Sequence, residues 1–339
     1  MFLEIAGFSI AAVAAGWGLW LSCRRLEEVS HELALHYGLP EVVKGSLITA
    51  IASSFPELAT AILAIPVHGE FELALGAIVG SAIFNILVIP AAAAFARGAP
   101  LQTSPTLVFK EAQFYLLSVS VLMVVLCLSV IYNGNVGEGP ITGTLTSGMA
   151  LLPLGFYALY LFLQYQDTIE HQPTASVVRI EPRRAWAILA VCMLVTTAAV
   201  EVLIQLALRL GAAFETPSFL WGLSVIAAVT SVPDLLVSLK AARNGRIETS
   251  LANVLGSNVF DLLVAVPLGV LIAGSVVVDF EQTVPMMAFL VVATIFVFAL
   301  MRHAMRIGRG DAVAMLVFYG VFLGWLVLET LGVTRLLGH

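Results

Sequence analysis

Residues 53–57 read SSFPE and residues 230–234 read TSVPD, and each stretch sits in sequence apolar enough to cross a bilayer. A proline inside a helix removes a backbone donor and clashes with the turn before it, so both segments are expected to break near the membrane centre and expose carbonyls. Those carbonyls, with the hydroxyls of Ser53, Ser54, Thr230 and Ser231 and the carboxylates of Glu57 and Asp234, form an all-oxygen setting suited to hard cations. A second pair of stretches follows, GSAIFN at 80–85 and GSNVFD at 256–261. Here Ser81 stands one helical turn from Asn85 and Ser257 one turn from Asp261, while Gly80 and Gly256 are expected to admit a neighbouring backbone. An ionised carboxylate at the bilayer centre costs on the order of 3 kcal/mol, so Glu57, Asp234 and Asp261 point to bound cations or protons rather than to packing.

These stretches recur in one order. Pro56 and Glu57 are separated from Pro233 and Asp234 by one interval, and Ser81 and Asn85 from Ser257 and Asp261 by an interval one residue shorter. Both are near half the chain, so the repeat spans the whole protein and the acids hold equivalent places in each half.

With 60% hydrophobic and 11% charged residues, and a mean hydropathy of +1.00, the chain is one solvated mainly by lipid. Apolar runs of bilayer length fall at about 3–22, 43–66, 73–96, 113–132 and 146–164, then 185–209, 219–241, 249–273, 283–301 and 312–332. The expected fold is an all-α polytopic membrane protein of ten transmembrane helices. Residues 1–164 form a first five-helix repeat, 165–184 a polar cytoplasmic loop, and 185–339 a second five-helix repeat. Arg24, Arg25, Lys44, Arg97, Lys110, Arg179, Arg183, Arg184, Lys240, Arg243, Arg246, Arg302, Arg306 and Arg309 all fall on one side, and only Arg209 and Arg335 opposite. The positive-inside rule then puts both termini outside, and because five is odd the two halves are inverted. The net charge of −6 weighs little in topology. Glu4 near the start, without a preceding Lys or Arg, argues against a cleaved signal peptide.

The residues 45–90 and 222–267 resemble the two α-repeats of the cation/calcium exchanger superfamily, which includes the sodium/calcium antiporters. The combination of GSAIFN with TSVPD and GSNVFD is most similar to the potassium-dependent sodium/calcium exchangers. The resemblance implies ten helices in two inverted halves, with Ca2+ and Na+ sites at mid-membrane between spans two, three, seven and eight. By position it implies Glu57 and Asp234 as central Ca2+ ligands and Asn85 and Asp261 as the second pair. Ser54, Ser81, Ser231 and Ser257, with the carbonyls near Ala50 and Ala227, fall where the family binds Na+. The chain departs from the pattern at Ser53, where Thr is usual, at Ala52 for Gly, and at Ala77 and Ala82 for Asn. Those departures bear on stoichiometry and on the role of K+.

The implied activity is secondary antiport of Ca2+ for Na+, with K+ a candidate co-substrate. Neither covalent chemistry nor a resident cofactor is expected. Three rivals stand beside it: a proton-coupled Ca2+/cation exchanger using the same acids, a gated cation channel, and a non-transporting membrane scaffold. Cys23, Cys127 and Cys192 lack any metal-like spacing and read as small hydrophobes. HELALH at 31–36 has its two His five apart, wrong for a zinc-binding helix face, and GNVGEG at 134–139 has no strand before it. The basic MRHAMRIGRG at 301–310 fits the charge rule with anionic lipid contact at most, and no nucleic-acid partner is implied. Glu201 and Glu329 are expected near outward helix ends within reach of water.

Overall fold

The computed structural model describes residues 2–37, 50–105, 107–135, 140–169, 181–331 and 333. Helix α1 (Phe2–His36) is followed by a broken α2 (Ala50–Ser53 and Phe55–Ala64) and by α3 (Phe71–Arg97). After the short strand β1 (Leu101–Gln102) come α4 (Leu107–Asn133), β2 (Thr142–Thr146) and α5 (Ser147–Ile169). The second half opens with α6 (Pro182–Phe214), a two-part α7 (Ser218–Thr230 and Val232–Arg243) and α8 (Ile247–Ala273). Strand β3 (Ser275–Asp279), α9 (Phe280–Ala304), β4 (Arg306–Ile307) and α10 (Arg309–Thr330) complete it.

Among the described residues seven helices (α3, α4, α5, α6, α8, α9 and α10) are long and apolar enough to cross a membrane, and α7 is an eighth if counted across its 40° bend. Of the two other expected spans, α1 runs 35 residues, and α2 is described only from Ala50, so 43–49 lie outside the described residues. The prolines break the chain as expected. Pro56 and Pro233 each stand in the first turn of the second half-helix, where a missing N–H costs nothing, and the breaks fall at Ser54 and Ser231.

Helices α3 and α8 are the centre of the molecule. Their most apolar stretches are 89% and 83% buried, against 22–50% for the other five spanning helices, so these two are walled by protein and the rest face lipid. Close packing of α3 on the first part of α7 rests on missing side chains. A Cβ on Gly76 would lie 2.7 Å from the Phe219 carbonyl oxygen, and one on Gly80 would lie 2.7 Å from Ala227 Cβ, so backbone meets backbone. Among the described residues Gly256 meets only the Tyr160 hydroxyl, at 4.0 Å; of the positions mirroring Leu223 and Ala227, 46 lies outside the described set and Ala50 opens the first part of α2.

Two features depart from the expected all-helical layout. First, the interhelical turns pair into antiparallel ladders: Thr142–Thr146 against Ser275–Asp279, and Leu101–Gln102 against Arg306–Ile307. Neighbouring turns at a membrane face satisfy each other's backbone groups in this way, which hydropathy does not reveal. Second, π turns interrupt three helices, α4 at Leu107–Glu111, α7 at Gly222–Ile226 and α8 at Asp261–Ala265, and the last lies at the acid. One more residue stands between Asp261 and Pro267 than between Asn85 and Pro90. A π turn absorbs a single inserted residue without ending a helix, so this one returns Pro267 to register with Pro90.

Candidate functional site

The breaks in α2 and α7 bring their acids against the centres of α3 and α8. Glu57, Asn85, Asp234 and Asp261 are all buried, as are Ser53, Ser54, Ser81, Thr230, Ser231 and Ser257. Each half repeats one bond: Ser81 Oγ donates to Glu57 Oε1 at 3.1 Å, and Ser257 Oγ donates to Asp234 Oδ1 at 3.1 Å. Hydroxyls then join the halves, Ser231 Oγ donating to Ser81 Oγ at 2.8 Å and Ser53 Oγ lying 3.2 Å from Ser257 Oγ.

The twofold resemblance ends at the amides. Asn85 Nδ2 donates to Asp234 Oδ2 and to Asn258 Oδ1, both at 3.0 Å, and Asn258 Nδ2 donates to the Ala82 carbonyl at 3.1 Å. Asp261 is the counterpart of Asn85, and Glu57 the counterpart of Asp234. A carboxylate cannot donate the bond that Asn85 gives, and the structure reflects this: Glu57 Oε2 and both Asp261 oxygens have no hydrogen-bond partner among the described residues. Ser54 Oγ and Asn85 Oδ1 share that condition. Five buried oxygens that accept nothing, in a low-dielectric interior, are the acceptor set that a hard cation or a proton satisfies.

The expected ligands are therefore brought into one region, with differences in detail. No three His, Cys, Asp or Glu side chains among the described residues form a ready metal cluster. Asp234 is held by donors from Ser257 and Asn85, while Asp261 has only the Ser54 hydroxyl facing it, outside strict hydrogen-bond geometry, and feels the charges of both Glu57 and Asp234. The Ala227 carbonyl, expected to face an ion, accepts from Ser231 Oγ at 2.7 Å and from Thr230 Oγ1 at 3.3 Å. Thr230 Oγ1 also donates to the Ile226 carbonyl, so its hydroxyl serves the backbone. Ala50 opens the first part of α2. Asn258 was not anticipated; its signal was present in GSNVFD, where an amide replaces the Ala82 of the first repeat. Glu329, expected near water, is 2% exposed.

A cavity of about 810 Å³ runs from the face carrying Arg24, Lys240 and Arg243 down to Ser53 and Pro233. A second, of about 770 Å³, is lined at the other end by turns such as Gly69, Pro217 and Ser275 and touches none of the expected ligands.

Comparison with known proteins gives the family and the fold. The family model described as "Sodium/calcium exchanger protein" matches residues 8–166 and 184–328. The inner membrane protein YrbG of Escherichia coli (strain K12) is 27% identical over 91% of this chain and 92% of its own. The putative antiporter CaxA of Alkalimonas amylolytica is 26% identical over 76% of this chain and 78% of its own, and human sodium/potassium/calcium exchanger 5 is 23% identical over 70% and 64%. Solved structures of the sodium-calcium exchanger NCX_Mj superpose with TM-scores of 0.60 to 0.62 at 20% identity, covering 94–96% of this chain and 97–99% of theirs, a likeness of fold. Matched along nearly its whole length by that family model, this multi-pass membrane protein belongs to the sodium/calcium exchanger family.

Proposed function

We propose that the chain exchanges Ca2+ for Na+ across the cell membrane by alternating access, with Glu57, Asp234, Asn85 and Asp261 supplying the Ca2+ shell. The hydroxyls of Ser53, Ser54, Ser81, Ser231 and Ser257 contribute to Na+. The observation that carries this is the buried set of carboxylate, amide and hydroxyl oxygens on two broken helices, five of them without a donor. Ca2+ accepts an irregular shell of six to eight oxygens and tolerates such a mixed set, whereas Mg2+ holds its waters. The membrane layout that fits is ten spans in two inverted halves, with both termini outside and lipid as the surrounding partner.

Asp261 supports two finer readings. Its isolation from donors suits K+ carried with Ca2+, as the name of human sodium/potassium/calcium exchanger 5 suggests for that protein, and it suits equally a proton held there, as in a proton-coupled exchanger. Purified protein in liposomes, assayed for 45Ca2+ uptake under imposed Na+, K+ or H+ gradients, separates these. Uptake driven by an outward Na+ gradient is expected; fast uptake indifferent to every gradient would mean a channel, and none at all would overturn the reading.

A further inference from the structure

The two ends of the molecule are built differently, and at the end away from the 810 Å³ cavity the α2–α3 turn is tied to its neighbours. His68 lies in the turn between α2 and α3, and its Nε2 meets Glu201 Oε2 at 2.9 Å and Oε1 at 3.1 Å on α6. Gln205 Nε2, one turn along α6, donates to the same carboxylate at 2.9 Å and fixes its orientation. The α2–α3 turn is in turn held to the start of α7, because Ser218 Oγ donates to Glu70 at 2.6 Å. This end is therefore opposite to the mouth of the 810 Å³ cavity, which opens at the far end of α7.

The repeat supplies the comparison. At the interval that relates Glu57 to Asp234, Arg24 of α1 is the counterpart of Glu201, and Gly245 of the α7–α8 turn the counterpart of His68. There the pair is missing: Arg24 is tied to Glu28 of its own helix at 3.3 Å, glycine has no side chain to offer, and the cavity separates α1 from the end of α7 and the start of α8. α1 and α6 pack on one another, joined by Ser22 Oγ and Thr196 Oγ1 at 2.8 Å.

We infer that His68 and Glu201 are gating residues of the exchange cycle: the pair locks α6 to the α2–α3 turn and holds the outer side shut while the inner cavity reaches Ser53. The inference rests on the alternating-access reading. The contact is a charge-assisted pair when the imidazole carries a proton and a weaker neutral bond when it does not, so the protonated pair favours the outer-closed state and the neutral one releases it. Among the described residues the other charged groups toward this end of the surrounding elements are Glu70 and Glu72 at the start of α3, Asp279 before α9, Arg209 and Glu215 further along α6, and Glu4 near the start of α1. Glu70 is engaged by Ser218, Glu72 accepts from the Asp279 backbone N–H, and Asp279 caps α9.

The test reads shape rather than flux. In protein with Cys23, Cys127 and Cys192 replaced, single cysteines are placed at Asn253, which lines the cavity, and at Ala77, its buried counterpart in the first repeat. Impermeant thiol reagents are applied to reconstituted protein at about pH 6 and about pH 8, a window that spans histidine titration. Glu201→Gln and His68→Gln should each raise labelling at Ala77→Cys and lower it at Asn253→Cys by roughly three- to tenfold at the lower pH, the scale of a half-exposed charge-assisted pair. His68→Lys, which keeps a cation at both pH values, should restore the parent pattern and remove its pH dependence. Unchanged labelling in both Gln variants, or an unaltered pH dependence in His68→Lys, overturns the lock. Labelling needs no transported ion, so absence of Na+-driven uptake would count against the antiport reading alone.

Discussion

Substituting Gly80 by alanine tests the construction of the site without touching a ligand. The new Cβ would lie 2.7 Å from Ala227 Cβ and 2.9 Å from the Leu223 carbonyl carbon, with the Leu223 oxygen closer still. Two of these three atoms are backbone and none can swing aside. Restoring ordinary contact requires α3 and the first part of α7 to part by roughly 1 Å. The adjacent Ser231–Ser81 hydrogen bond, 2.8 Å long, would then stretch to about 3.8 Å, beyond hydrogen-bonding range. Overpacking of about 1–3 kcal/mol plus a buried bond of about 1 kcal/mol gives a loss of roughly 2–4 kcal/mol. We expect Gly80→Ala to lower thermal stability in detergent and to slow 45Ca2+ uptake in liposomes at least tenfold. Gly320→Ala, whose Cβ meets nothing within 4 Å, should match the parent in both. Parent-like uptake by Gly80→Ala would show that the crossing does not set the site.

Four further expectations follow from the site and from the charge pattern. Glu57→Gln and Asp234→Asn should each abolish Ca2+ transport in liposomes while leaving a folded protein, since each removes a buried charge whose desolvation the bound cation offsets; size-exclusion profiles check the folding. Ser81→Ala and Ser257→Ala should weaken apparent Na+ affinity more than Ca2+ affinity, because a neutral hydroxyl is a larger share of a monovalent ion's shell, and equal losses would refute that. Asp261→Asn should retain Na+/Ca2+ exchange and lose whichever of K+ or pH dependence the parent displays, measured as uptake with choline replacing K+ and across pH. Finally, a cysteine at Asn244 should react with impermeant reagents from the cytoplasmic side and one at Ser275 from outside; the reverse would invert the topology drawn from Lys and Arg.

Much of the site was legible because each signal in it has a local cause. Proline removes a helical donor and crowds the turn before it, so Pro56 and Pro233, each beside hydroxyls and an acid, pointed to the breaks at Ser54 and Ser231, whereas Pro90, Pro153 and Pro285 sit inside continuous helices. Buried acids are costly in lipid, so Glu57, Asp234 and Asp261 stood out against apolar sequence. What escaped depends on partners distant in the chain. Thr230 looks like Ser53 in the sequence, yet its hydroxyl turns to Ile226, while Ser53 crosses to Ser257. Asn258 gains its role only from the positions of Asn85 and Ala82. The ladder between Thr142–Thr146 and Ser275–Asp279 joins segments on opposite sides of the repeat boundary, and neither carries a long alternating pattern. The π turn at Asp261–Ala265 was written in the spacing to Pro267, but only as a one-residue difference that a loop would explain as readily.

The exchange of Asn85 for Asp261 between equivalent positions has an arithmetic consequence. Two identical halves facing each other across a twofold axis hold an even number of carboxylates at any shared site, whatever their sequence. Three buried acids, Glu57, Asp234 and Asp261, make an odd number, and odd parity is open only to halves joined in one chain and free to differ. Two copies of the first half would bring two acids and two amides; two copies of the second would bring four acids. A divalent ion together with one unit of positive charge matches three, and neither symmetric assembly offers that balance.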